Sequence, residues 1–135
     1  MLNRAEVIHR LQELGINPTQ QRVSIAACML SQPQHLAADQ VLAMARAEGA
    51  NVSKATVYNT LALFARKGLI REVIVDPSRV FYDSNTDPHH HIYNVDTGAL
   101  EDVDAGEFPV PKMPHLPEGT VAEGVDVVIR VRNSA

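Results

Sequence analysis

Three consecutive histidines, His89-His90-His91, are the side chains of this 135-residue sequence best suited to binding chemistry. They open a β-prone run, and side chains alternate along a strand, so His89 and His91 face one way and His90 the other. Two imidazoles at i and i+2 can hold one cation. Neutral imidazole suits Fe, Mn, Zn and Cu ions, and added carboxylates favour the harder Mn or Fe. A solvent-exposed polar turn is the competing reading. The only cysteine, Cys28, excludes an intrachain disulfide, a Cys-x-x-Cys redox pair and a thiolate-rich zinc site within one chain. Any metal would rest on His and carboxylates, and Cys28, placed mid-helix, reads as core.

A second chemistry-bearing stretch begins at Ser53, a good N-cap. Val57, Leu61 and Phe64 fall at i, i+4 and i+7, and Lys67-Gly68 signals the helix end. With those three inward, Lys54, Ala55, Tyr58, Asn59, Ala62 and Arg66 lie on the outer side. That face offers a cation, a Tyr able to donate to phosphate or touch a thymine methyl, and an Asn able to bond an adenine edge. Small Ala residues permit close approach to a groove. Arg22, with Gln20 and Gln21, could add backbone contacts from an earlier helix. An ordinary solvated helix face is the alternative in both places.

The elements that must carry these residues follow from periodicity. Four helices fill the first ~67 residues. Val7, Leu11 and Leu14 form one stripe, ended by Gly15. Asn17 as N-cap with Pro18 at the first helical position starts the second, whose buried face is Val23, Ala26, Ala27 and Leu30. Val41, Leu42 and Ala45 mark the third, closing at Gly49. Leu69 to Val75 and Arg79 to Asp83, joined by the turn residues Asp76-Pro77-Ser78, predict a hairpin, and helices followed by a hairpin give a winged helix. Polar Ser84 to Pro88 reads as a hinge. Beyond it, His91 to Val95, Ala99 to Val103 and Val125 to Arg132 read as strands, with Thr97-Gly98 turning the first pair. In the last strand Val125, Val127, Ile129 and Val131 share one face that so small a lobe cannot bury alone, which predicts pairing with a second copy. The stretch from Gly106 to Gly124, with Pro109, Pro111, Pro114 and Pro117, leaves little room for a long helix.

Composition agrees with a two-lobed soluble protein. At 45% hydrophobic and 21% charged residues the chain is too apolar for disorder, and it lacks the ~20-residue uncharged run of a membrane helix. The N-terminus has no secretory signal, so a cytoplasmic location is expected. The formal charge of -4 is unevenly spread: residues 1–84 carry +2 and residues 85–135 carry -6. A mildly basic front half could face phosphate while the acidic half stays away.

The run Val52-Ser53-Lys54-Ala55-Thr56-Val57-Tyr58-Asn59-Thr60-Leu61, with Gly15-Ile16-Asn17-Pro18-Thr19-Gln20-Gln21-Arg22 upstream, resembles the ferric uptake regulator superfamily over essentially the whole chain. The resemblance implies an α+β protein. Residues 1–83 would form a winged-helix DNA-binding domain, 84–88 a hinge, and 89–135 a small α/β dimerisation and sensing domain. It further implies a homodimer reading a pseudo-palindromic, A·T-rich operator, with Arg22, Ser53, Lys54, Thr56, Tyr58 and Asn59 as the DNA-binding candidates and Tyr58 at a base.

It also implies a regulatory metal site of His35, Asp83, His89, His91 and Asp102 for an Fe or Mn ion that clamps both lobes. Asp at position 83 resembles the peroxide-sensing members more than the iron-uptake ones. Where most relatives carry Cys-x-x-Cys for a structural zinc, this chain has Asn94-Val95-Asp96-Thr97, so no structural zinc held by four cysteines is expected. The histidine run and the short tail from Lys112 to Gly119 resemble the iron response regulator branch, which senses iron through haem. His89, His90 and His91 thereby become haem-binding candidates, although the Cys-Pro haem motif is missing.

The expected function is thus a DNA-binding regulator, not an enzyme, that responds to iron or haem. A peroxide- or manganese-responsive repressor is the alternative within the family. A small metalloenzyme would need a general base that is not recognisable, and a protein-binding module would show no salt-sensitive duplex binding. His90, Glu107 and His115 are open to a second site.

Overall fold

The computed structural model describes residues 2–109, 112–122 and 124–135. The chain divides into two compact units, residues 1–86 and 87–135. None of its described helices is long and apolar enough to cross a membrane.

The first unit holds four helices, α1 (Arg4–Glu13), α2 (Gln20–Leu30), α3 (Ala38–Ala47) and α4 (Lys54–Arg66), and three strands, β1 (His35–Leu36), β2 (Arg71–Asp76) and β3 (Arg79–Asp83). Asn3 and Glu6 cap α1 reciprocally: the Glu6 amide donates to Asn3 Oδ1 at 2.9 Å and the Asn3 amide to Glu6 Oε1 at 3.4 Å. Leu11, Ile25, Met29, Val41, Leu61 and Phe64 are fully buried in one core that draws on all four helices. That burial keeps α4 in place. Ser53 Oγ accepts from the Thr56 amide at 3.1 Å, and Gly68, at φ 83°, ends the helix in the left-handed region that glycine adopts without penalty. Arg46 Nε donates to the Val52 carbonyl at 3.2 Å, tying the end of α3 to the turn before α4.

The sheet of this unit has the order β1-β3-β2, all antiparallel. Asp76 Oδ1 accepts from the Ser78 amide at 2.8 Å and from Ser78 Oγ at 2.7 Å, which stiffens the β2–β3 turn. The second unit is a three-stranded sheet of order β5-β4-β6, from β4 (His89–Asn94), β5 (Leu100–Asp104) and β6 (Val128–Val131). β4 pairs antiparallel with β5 and parallel with β6. Gly98, at φ 77°, turns β4 into β5. No helix occurs among the described residues from 106 to 124; Pro111 lies outside the described residues.

Several local expectations are corrected. The N-cap of α2 is Thr19, not Asn17, because Thr19 Oγ1 accepts from the Arg22 amide at 3.3 Å and Pro18 stays outside the helix. The buried face of α2 is Val23, Ile25, Ala26, Cys28 and Met29, while Ala27 is exposed and Leu30 only half-buried. A face packed against both α1 and α3 is wider than a single stripe. The last strand begins at Val128, leaving Val125 outside it and exposed, and Val131 is also exposed. The short strand β1 extends the expected hairpin to a three-stranded wing.

Candidate functional site

The histidine triplet is buried strand, not an exposed turn: His89, His90 and His91 are 6%, 5% and 1% exposed. In the β4–β5 ladder His91 lies directly opposite Asp102, and both His91 Nε2 and His89 Nε2 approach Asp102 Oδ1, at 3.4 and 3.3 Å. The two rings meet edge-on with centroids 4.5 Å apart. His89 Nδ1 lies 2.6 Å from the Asp87 carbonyl. Donation of Nδ1–H to that carbonyl orients the ring with Nε2 on the Asp102 side, the outer hydrogen bond typical of metal-binding histidines.

The first unit holds a matching pair. His35 lies directly opposite Asp83 in the β1–β3 ladder, with His35 Nε2 3.8 Å from Asp83 Oδ2. The Asn85 amide donates to Asp83 Oδ1 at 2.8 Å, which holds the carboxylate in orientation. Ser84 and Gln34 lock the strand ends together: the Gln34 amide donates to Ser84 Oγ at 3.0 Å and the Ser84 amide to the Gln34 carbonyl at 3.1 Å. Each cross-strand pair thus presents an imidazole nitrogen and a carboxylate oxygen, a donor chemistry that fits Mn or Fe.

His90 occupies the opposite face of β4 with its ring edge-on to Phe108 at 5.9 Å. Its Nδ1 is buried without a hydrogen-bond partner, alone in this among the described side chains.

On α4, Lys54, Ala55, Tyr58, Asn59, Ala62 and Arg66 are all exposed. Two of the sequence candidates are occupied locally. Ser53 Oγ donates to Thr56 Oγ1 at 2.9 Å besides capping the helix, so both hydroxyls serve its first turn. An Arg22 guanidinium nitrogen donates to the Asn17 carbonyl at 3.0 Å, which draws that cation toward the loop before α2. The contact that sequence reasoning missed is Tyr58 donating its hydroxyl to Asp39 Oδ1 at 3.2 Å. Asp39 lies 19 residues away on α3, beyond any local pattern.

A family model described as the ferric uptake regulator family matches residues 13–113. The chain belongs to that family. Members of the ferric uptake regulator family are transcriptional regulators, not enzymes. Among curated relatives, the peroxide-responsive repressor of Staphylococcus aureus is 33% identical over 97 residues, covering 72% of this chain and 66% of the relative. The matched stretch therefore spans about two thirds of that relative's length. The ferric uptake regulator of Pseudomonas aeruginosa, solved with manganese, superposes with a TM-score of 0.74 at 25% identity, covering 94% of this chain and 97% of that one. The corresponding regulator of Francisella tularensis, solved with iron, gives a TM-score of 0.69 at 23% identity over 88% of this chain and 92% of that one, and so attests the fold.

Proposed function

We propose that this protein is a metal-responsive, homodimeric transcription regulator of the cytoplasm that binds a pseudo-palindromic, A·T-rich duplex and changes its occupancy with iron status. The observation that carries the reading is the pair of cross-strand His–Asp partners, one in each unit. His35 and Asp83 belong to the unit that bears α4, and His89, His91 and Asp102 to the other. An Fe or Mn ion held by these side chains would bias a two-state element of the protein that decides whether two copies of α4 reach adjacent grooves. When bound, the ion supplies fixed positive charge. The chain's own part is to present imidazole Nε2 atoms and carboxylates, with the Asp87 carbonyl orienting the His89 ring and the Asn85 amide orienting Asp83.

Dimer formation is supported by how little apolar surface the described residues of the second unit bury. Among its described residues Tyr93 is the only buried hydrophobic side chain, while Val95, Phe108, Met113, Val121, Val125 and Val131 are exposed. A unit of this size needs a partner surface, a metal, or both. Arg22, Lys54, Tyr58 and Asn59 are the proposed DNA contacts, with Ser53 and Thr56 placing the helix start. The test is retardation of a duplex enriched from a random pool, titrated with Mn(II) or Fe(II). Retention that rises or falls with metal supports the reading, and metal-indifferent retention or none rejects it.

Haem is the further ligand on this reading, favoured by the buried, unpartnered His90 Nδ1 beside Phe108; a Soret band lost in His90→Ala is its test. A peroxide- or manganese-responsive repressor is the second reading, favoured by Asp83 at the wing and by the Staphylococcus aureus relative. It requires that peroxide abolish duplex retention by Fe(II)-treated protein and spare the Mn(II)-treated protein, since Fe(II) reduces peroxide readily and Mn(II) does not.

A further inference from the structure

A tyrosine on a groove-reading helix can recognise DNA in two chemically distinct ways. Its hydroxyl can donate to a phosphate or a base acceptor, or its ring edge can pack on the C5 methyl of thymine. The surroundings of Tyr58 discriminate between them. The hydroxyl donates its one hydrogen to Asp39 Oδ1 at 3.2 Å, and a phenol has no second hydrogen to offer. The ring remains 40% exposed. Lys54 Nζ lies 4.0 Å from the same Asp39 oxygen and 5.6 Å from the Tyr58 ring centroid, so one cation borders both the carboxylate and the ring.

Asp39 is well placed for such a part. It sits in the first turn of α3, where the helix macrodipole favours negative charge. The N-cap there, Ala37, has no side chain to cap with, and Gln40 Oε1 accepts the Ala37 amide at 2.8 Å instead, leaving the Asp39 carboxylate for Tyr58. Lys54 offsets the repulsion that a lone carboxylate would meet near phosphates. Asp39 and Tyr58 share the wall of one cleft with Ser78 of the β2–β3 turn and Arg79 of β3, so the hydroxyl's partner lies on the same wall as the ring.

We propose that Asp39 is a positioning residue for Tyr58: by holding the hydroxyl it orients the ring and makes Tyr58 a reader of a thymine methyl instead of a hydrogen-bond donor to DNA. The inference rests on the DNA-binding function proposed above and extends it to a residue of α3.

The experiment replaces single thymines by deoxyuridine in a duplex that the wild-type protein has enriched from a random pool in the presence of Mn(II). Deoxyuridine removes one methyl and nothing else, and burying one carbon is worth about fourfold in affinity. The wild type is expected to lose about fourfold at one thymine per half-site, and Tyr58→Ala to lose that sensitivity. Asp39→Ala and Tyr58→Phe should each erase most of the penalty, and the double variant should be no worse than either single one. Asp39→Asn, which keeps an acceptor oxygen, should preserve it. A merely structural or electrostatic role would weaken both duplexes equally and leave their ratio at the wild-type value. An Asp39→Ala protein that melts like wild type and retains the full deoxyuridine penalty overturns the proposal while leaving the DNA-binding function intact. A wild-type protein that enriches no duplex overturns both.

Discussion

His91 and Asp102 are direct cross-strand neighbours on β4 and β5, and His35 and Asp83 stand in the same relation on β1 and β3. The same device is therefore built twice, in two separate sheets, from strands that bring an imidazole and a carboxylate together by register. His91→Ala should weaken Mn(II) binding by more than the roughly 10–100-fold that loss of an outer-shell partner costs. Asp102→Asn, which leaves two imidazoles without their carboxylate, should do the same. Isothermal titration reads both, and duplex retention should lose its metal dependence in parallel.

Lys54 and Tyr58 should separate in their response to salt. A lysine that contacts a phosphate contributes about one unit to the slope of log affinity against log salt, so Lys54→Ala should flatten that slope by about 1. Tyr58→Ala should lower affinity for the preferred duplex by about fourfold or more and leave the slope nearly unchanged. Both variants should sediment as the wild type does.

Around the β4–β5 turn, polar side chains tie the chain to its own C-terminus. Asn94 Oδ1 accepts from the Asp96 and Thr97 amides at 2.9 and 3.1 Å, Asn94 Nδ2 donates to Asn133 Oδ1 at 2.9 Å, and the Asn133 amide donates to Asp96 Oδ2 at 2.9 Å. Asn94→Ala removes the first three of these bonds and should lower stability by ~1–3 kcal/mol in thermal melts. Chelator added to wild type should leave its cysteine reactivity unchanged, because this knot contains no thiolate.

Burial, assisted by nearby Glu48, holds the Cys28 thiol above its ordinary pKa. The folded chain thus keeps this proton to higher pH than the unfolded chain does. The resulting stabilisation is complete below the unfolded thiol's pKa and is lost as pH rises through the folded value. Alkylation at neutral pH should be slow, and should accelerate at a higher pH in native protein than in urea. Equal alkylation midpoints would contradict the burial.

What the sequence discloses is local. Helix α4 is legible from Ser53, the Val57–Leu61–Phe64 spacing and Gly68, because each of those signals acts within a few residues. Strand β1 is not legible, since two residues carry no period and His35–Leu36 is extended only because β3, far along the chain, pairs with it. The α2 face is misread for a related reason: neighbours on two sides bury Ile25 and Met29 off the simple stripe. For the site, alternation alone places His89 and His91 together. Their pairing with Asp102, and that of His35 with Asp83, depends on register, which a lone sequence reveals only through its likeness to a family. The Tyr58–Asp39 contact joins neighbouring helices and leaves no trace in either helix's pattern.

The alternation along β4 gives deletions an unusual power here. Loss of one residue between Gly98 and Asp102 would carry Asp102 across the pleat to the side where His90 now stands, and withdraw it from His89 and His91. A lineage carrying such a deletion would lose the His91–Asp102 pairing in a single genetic event, with every histidine of the triplet still in place.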